Sequence, residues 1–285
     1  AGCGKTKTII ARSQFLIENV SPPERLQILT FTRRSASEII ERVKSSLGEK
    51  AKGLKASTFH TWCMSLIRRA PDLFGCENCS VIDRDDQLTI FRLLRAASRE
   101  AKNALLPKAA DLCDLYSFAR NTRQSLKATV EHRHPESLEI FKAIAEIVTS
   151  YEDHKESRNY LDYDDILDVV AKQISGEEVV KKWVSSKYDE ILVDEFQDTN
   201  PIQWDILKPL SGSLRLFCVG DDAQSIYGFR GADFETIHSF RERVDGSTVL
   251  SLSTNYRSTQ EILDISNWLL SESPLQYEKK LVAQR

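Results

Sequence analysis

No apolar run in the chain comes near the roughly 20 residues that a membrane-spanning helix needs, and no signal peptide can be read at its start. The first residue is Ala1 and not Met, so the missing targeting signal carries no weight. A basic excess is also lacking. Lys and Arg number 39 against 42 Asp and Glu, the net charge is −3 and the sequence pI is near 6.1. No global field therefore draws in nucleic acid, and any such binding has to use local groups. Six cysteines are present, at 3, 63, 76, 79, 113 and 218. Cys76 and Cys79 form a CxxC, yet no second pair or His pair stands at zinc spacing, so the thiols read as scattered and reduced. His132 and His134 read as part of a solvated basic turn. Repeats and low-complexity linkers are missing too. What remains is ordinary: 41% hydrophobic, 28% charged, and long enough for one large domain or two of usual size.

The most informative stretch is Tyr188 to Asn200, YDEILVDEFQDTN. Ile191, Leu192 and Val193 make a short apolar run of the kind buried in a parallel sheet. Asp194 and Glu195 follow at its end, where successive side chains point different ways. One can hold a metal while the other orients or deprotonates a water. Asn200, Pro201 and Gln203 then open a helix in a capping-box pattern. An acidic surface turn would account for this stretch equally well if it stood alone. Its partner is at the other end of the chain. Residues 1–6 read AGCGKT, the last part of G-x-x-x-x-G-K-S/T, without the first glycine or the strand before it. The chain is therefore expected to be a fragment cut inside its own motif. Gly2 and Gly4 let backbone amides, Cys3 included, wrap phosphates beside a helix N-terminus. Lys5 is expected on the β and γ phosphates and Thr6 on magnesium.

Around these motifs the pattern alternates. A helix from Lys7 to Val20 is broken at Ser21-Pro22-Pro23. Leu26 to Thr32 reads as a strand, and Ser35 to Glu38 as a capping box opening a helix with Ile39, Ile40, Val43 and Leu47 on one face. Gly48 ends it. Lys55 to Thr58 is a strand, and Phe59 leads into a further helix. This is the α/β signature. Between Asp83 and about Ser175 the chain is helical instead, with apolar spacing at Leu88, Phe91, Leu94 and again at Leu138, Phe141, Ile144, Ile147. It reads as a helical domain inserted into the α/β domain, or as a long decorated crossover. Strands return at Arg215 to Val219 and Thr248 to Leu252, and a helix at Gln260 to Leu270.

AGCGKT, LTFT, STFHTWC, LDYDDIL, ILVDEFQDTN, VGDDAQSIYGFRGAD and NYRST occur here in one order. That order resembles the superfamily 1 DNA helicases of the UvrD/Rep type, across essentially the whole chain. The resemblance implies an α/β fold: a RecA-like P-loop NTPase domain, parallel sheet flanked by helices, over 1–82 and 185–253. It also implies an inserted all-helical subdomain over 83–184 and the start of a second RecA-like domain over 254–285. The implied cofactors are ATP and Mg²⁺, with Gly2, Cys3, Gly4, Lys5, Thr6, Lys7 and Tyr256 around the nucleotide and Thr6 and Asp194 on the metal. Glu195 looks like the general base, Gln224 like a γ-phosphate sensor, Arg257 like the arginine that neutralises the transferring phosphoryl group, and Tyr256 like an adenine-stacking partner. Single-stranded DNA is expected to stack on Phe31, Phe59, His60, Tyr227 and Phe229, with Arg33, Arg34, Thr58 and Arg230 at phosphates.

Three positions depart from the family pattern. Phe229 stands where Trp is frequent, Lys7 where Arg is frequent after GKT, and Ala223 where an acid is frequent. The implied activity is ATP-driven translocation on single-stranded DNA and unwinding at single-strand to duplex junctions, with 3′-to-5′ polarity. An intracellular site, cytoplasmic or nuclear, and no membrane partner are expected. Alternatives are the motor part of a helicase–nuclease, a nucleotide-binding scaffold without hydrolysis, and a small-molecule kinase. The last leaves GDDAQSIY and the helical stretch without a role. The 1–285 piece alone is expected to bind nucleotide weakly and unwind nothing.

Overall fold

The computed structural model describes residues 2–224, 237–272 and 280–284. Helix α1 (Lys5–Asn19) is followed by β1 (Leu26–Leu29), α2 (Arg33–Leu47), β2 (Lys55–Ser57) and α3 (Phe59–Arg69). A two-residue strand β3 (Ser80–Val81) leads into α4 (Arg84–Ala97), α5 (Ala109–Thr122), α6 (Leu126–Arg133) and α7 (Phe141–Glu156). Strand β4 (Tyr160–Leu161) leads out of them to α8 (Tyr163–Gly176), α9 (Glu178–Ser185), β5 (Glu190–Val193), α10 (Pro201–Leu207) and β6 (Arg215–Cys218). After these come α11 (Phe240–Arg243), β7 (Thr254–Asn255), α12 (Gln260–Ser271) and β8 (Val282–Ala283).

The main sheet runs β2-β1-β5-β6, every neighbour parallel. Strands β1 and β5 lie at its centre and are buried along their whole length. Their side chains alternate between two cores, as strand geometry requires. Leu26, Ile28 and Leu192 join Ile9, Leu16, Ile39 and Val43 of α1 and α2 on one face. Leu29, Ile191 and Val193 join Trp62, Leu66, Ile166, Val170, Ile206 and Leu207 of α3, α8 and α10 on the other. Helices thus cover both faces of a parallel sheet. The register pairs Leu29 with Val193, and the Asp194 amide donates to the Leu29 carbonyl at 2.9 Å. This aligns the carboxyl ends of the strands and gathers Thr30, Thr58, Asp194 and Val219 along one edge, where open α/β sheets bind ligands.

A separate core lies within α4–α7, built on Phe91, Leu112, Tyr116, Ile144, Ile147 and Tyr151. Phe91 and Tyr151 stack with centroids 4.4 Å apart. The connections into and out of this bundle are zipped together, Ser80 against Tyr160 and Val81 against Leu161. A buried charge cluster joins the bundle to the sheet. Lys155 Nζ reaches Asp162 at 2.7 Å and the Tyr116 hydroxyl at 2.9 Å, and also bonds Asp165. Arg120 bonds Asp165 and Asp168, and Arg123 bonds Asp168 of α8 and Asp205 of α10.

Several local expectations shift. Helix α2 is capped by Thr32, whose hydroxyl accepts from the Ser35 amide at 3.1 Å, so it opens three residues before the expected box and takes Arg33 and Arg34 into its first turn. Helices α8 and α9, grouped by periodicity with the helical stretch, bury Ile166, Leu167, Val180 and Val184 in the core shared with the sheet. Thr248 to Leu252 forms no strand; the pairing there is Thr254–Asn255 with Val282–Ala283. The helix expected to end at Gly48 does so, with that glycine at φ +57°.

Candidate nucleotide site and adjoining groove

Gly2 and Gly4 both hold φ near +87°, at +86° and +87°. Only glycine adopts this region without strain, and a backbone of this kind can present its amides to an anion. Gly4 also caps α1, with no side chain competing for the free N–H groups of the first turn. A Cβ on Gly4 would meet no atom within 4 Å, so the loop is open there. Lys5, in the first turn, places Nζ 3.1 Å from Glu195 Oε2 and 3.5 Å from Asp221 Oδ2. The ammonium is buried and makes no aligned hydrogen bond, so charge proximity alone holds it. Thr6 is partly exposed and Lys7 exposed.

Facing Lys5 are the two acids at the end of β5. Asp194 is 6% exposed, and burial first, then the neighbouring Glu195 charge, pushes its carboxyl up to about 6. Its Oδ1 accepts from the Glu195 amide at 3.0 Å. Glu195 takes φ +49° and ψ +47°, the left-handed region, which costs a non-glycine residue about 1–2 kcal/mol. Gln197 Nε2 donates to Glu195 Oε2 at 2.9 Å, and Gln197 Oε1 accepts from the Asp221 amide at 2.9 Å. Gln224, the expected sensor, bonds the Asp221 carboxylate, and Asp221 connects to Glu195 through Lys5 and Gln197.

The chain also returns to the glycine loop from far away. The Tyr256 amide donates to the Gly2 carbonyl at 3.0 Å, and a Cβ on Gly2 would fall 2.6 Å from the Arg257 Cβ. Asn255 is 1% exposed; its Oδ1 accepts from the Arg257 and Ser258 amides at 2.8 and 2.9 Å. Tyr256 and Arg257 are thereby held over the loop with their side chains exposed. These groups fit a magnesium–triphosphate. Amides and an ammonium suit phosphate oxygens, and Asp194 with the Thr6 hydroxyl are hard oxygen donors for Mg²⁺. Among the described residues no three His, Cys, Asp or Glu side chains form a metal cage. A cation shared with phosphates does not need one.

Beside the acids lies a groove of about 360 Å³ over the ends of β1, β2 and β5. Phe31, Arg33, Thr58, Phe59 and His60 line it together with Asp194, Glu195 and Asp198. Arg33 is exposed and Phe31 half-buried. Thr58 caps α3, and its hydroxyl lies 3.1 Å from that of Thr61. Phe59 is 6% exposed and belongs to the core under the sheet, so little of it is open to the groove. His60 stands edge-on to Tyr163 at 6.3 Å, and burial lowers its pKa. Tyr227, Phe229 and Arg230 lie outside the described residues. Four residues of the site, Gln197, Asp198, Asp221 and Asn255, carry no cue to their role in the sequence. All stand inside the motifs, but nothing in their type announces which backbone amide or carboxylate each one meets.

Known proteins resemble this chain along its whole length. Residues 1–245 match the family model described as UvrD/REP helicase N-terminal domain. The chain is 34% identical over 288 aligned positions to the ATP-dependent DNA helicase Rep of Escherichia coli strain K12, covering 100% of this chain and 42% of that protein. It is 33% identical to a probable DNA helicase II homolog of Mycoplasma capricolum, covering 99% and 39%. With the ATP-dependent DNA helicase PcrA of Staphylococcus aureus it shares 31% identity, covering 96% and 37%. The chain spans about two fifths of the length of these relatives. It belongs to the UvrD/REP helicase family.

Proposed function

We propose that this member of the UvrD/REP family is the nucleotide-hydrolysing part of an ATP-dependent motor that moves 3′ to 5′ on single-stranded DNA and opens duplex at junctions. In this reading the parallel sheet with its flanking helices is a RecA-like domain, the α4–α7 bundle between β3 and β4 is an insertion, and the segment after residue 253 begins a second domain. An intracellular setting follows from that role. The observation that carries the reading is the Lys5–Glu195–Asp221 ion cluster at the head of α1, beside the left-handed glycine loop.

The cluster has a chemical logic. Lys5 would leave the carboxylates for β and γ phosphate oxygens when nucleotide enters the loop. Glu195, released from its cation, would then accept a proton from the attacking water. Bound Mg²⁺, held by Asp194 and Thr6, would neutralise phosphate charge. Arg257, over the loop, would offset negative charge on the transferring group, and Tyr256 would stack on the base. The groove next to Glu195 supplies the link to DNA. Bases stacked against Phe31 and His60, with phosphates at Arg33 and Thr58, would press on the walls that hold Asp194 and Glu195.

ATP hydrolysis by the full-length protein, measured with and without single-stranded DNA, tests this. DNA should stimulate hydrolysis strongly, and Glu195→Gln should remove it by at least about 100-fold while nucleotide still binds. Hydrolysis indifferent to DNA would refute the motor, and full activity in Glu195→Gln would refute the base. Residues 1–285 alone are expected to bind nucleotide weakly and leave duplex intact.

A further inference from the structure

Gln197 sits where it can control Glu195. It is 2% exposed, on the short turn after the acid pair, and spends both ends of its amide in the site. The direction of that amide is fixed by chemistry. The Asp221 backbone N–H can only donate, so Oε1 must face it, and Nε2 must then face the Glu195 carboxylate. The two bonds are each 2.9 Å. A third contact stitches the same loops, the Phe196 amide donating to the Val219 carbonyl at 2.9 Å. Gly220 leaves the room for it: a Cβ there would lie 3.1 Å from Gln197 Oε1 and 2.8 Å from Ile237 Cδ1.

We infer that Gln197 is a positioning residue for hydrolysis, holding the Glu195 carboxylate in place and fixing it to the loop after β6 that carries Asp221 and Gln224. The inference rests on the proposed role of Glu195 as base. Glu195 occupies a left-handed backbone and its side chain is about one-third exposed, so packing alone does not hold its carboxylate. Without nucleotide, Lys5 restrains it by charge. Once phosphate draws Lys5 away, the Gln197 N–H remains as an uncharged tether. No other side chain of this reach does both jobs. Glu could accept from Asp221 but would repel Glu195, Lys could donate but not accept, and Asn is one methylene too short to span both.

The full-length protein with Gln197→Met and Gln197→Glu provides the test, each variant also combined with Glu195→Gln. Nucleotide affinity is read by equilibrium binding, and hydrolysis by kcat with saturating single-stranded DNA and by single turnover for the slow variants. Gln197→Met should lower kcat roughly 10- to 100-fold, as loss of a supporting partner does. Nucleotide affinity should stay within about 3-fold. Gln197→Glu, which keeps the acceptor for Asp221, should fall at least as far, and it serves as the reporting variant if Gln197→Met does not fold. In the Glu195→Gln background neither substitution should lower hydrolysis further, because a residue acting through another is silent once that other is gone. Unchanged kcat in a folded Gln197 variant, or an equal loss in both backgrounds, would overturn the inference and leave the base reading standing. Retained hydrolysis in Glu195→Gln alone would overturn the base reading, and this inference with it.

Discussion

Asp198 offers the sharpest test of the electrostatics around the site. It closes the turn Phe196–Asp198, is 9% exposed, and has an Oδ1 that meets no hydrogen-bond donor. Burial, and then the charge of Glu195, push its carboxyl up from the ordinary 3.8 to about 6; Lys5 offsets only part of this. The sign follows from proton binding. Below pH 3.8 the group is protonated in both the folded and unfolded chain and costs nothing. Between 3.8 and about 6 the folded protein keeps a proton that the unfolded chain has released, so stability falls as pH rises. Above 6 the full cost of the buried anion is present and constant. At 1.36 kcal/mol per pH unit that cost is at most about 3 kcal/mol, and screening through the half-open groove brings it to about 1–3 kcal/mol. Asp198→Asn removes the charge at nearly equal shape. Urea unfolding of both proteins without Mg²⁺ or nucleotide should show no difference at pH 4 and a variant more stable by about 1–3 kcal/mol at pH 7.5. Asp194 titrates in the same range but is common to both proteins and cancels. A margin that does not vary with pH, or a variant weaker at pH 7.5, would refute the reasoning.

Three further substitutions probe the frame. Lys155→Met strands Asp162 and Asp165 in the interior without their cation and should cost about 3–5 kcal/mol in chemical denaturation; a loss under 1 kcal/mol would mean that water reaches the cluster. Gly2→Ala puts a Cβ 2.6 Å from that of Arg257 on a backbone at φ +86°, and should weaken nucleotide binding by the full-length protein about 10-fold. Gly4→Ala, whose Cβ meets no protein atom, should cost the nucleotide-free protein only the backbone strain of about 1 kcal/mol in chemical denaturation, so an equally small stability loss in Gly2→Ala would argue against the packing of Tyr256 and Arg257 on the loop.

The parts of this molecule that can be read from its residues are those decided within a few positions of each other. The capping box at Asn200 and Gln203 forms as expected, with both reciprocal hydrogen bonds, because every atom it needs lies within one turn. The strand before Asp194 is legible because three consecutive apolar residues ahead of two acids have few other stable uses. Helix α2 is capped by Thr32 and not by Ser35, which offers the same capping chemistry three residues later, because the choice between them falls to the end of β1. The limits of the bundle were also hidden. Helical apolar spacing resumes in α8 soon after α7, and nothing local tells that Phe91 and Tyr151 share one core while Ile166 and Val170 share another with Trp62.

What decides the chemistry lies further apart still. Lys5 and Glu195 are brought together across most of the chain, and Asn255 reaches back to Cys3 in the glycine loop. Such pairs are fixed by sheet order and register, which no window of residues contains. The left-handed backbone at Glu195 belongs to the same class. Nothing in an acidic residue after Asp194 foretells a positive φ, since glycine or asparagine would adopt it at lower cost. The strain is tolerated because the turn is tied on every side, by the Asp194 carboxylate on the Glu195 amide, the Gln197 amide on its carboxylate and the Val219 carbonyl on the Phe196 amide. A motif therefore announces that an acid will stand at the strand end. Only the contacts of its neighbours determine where that acid points.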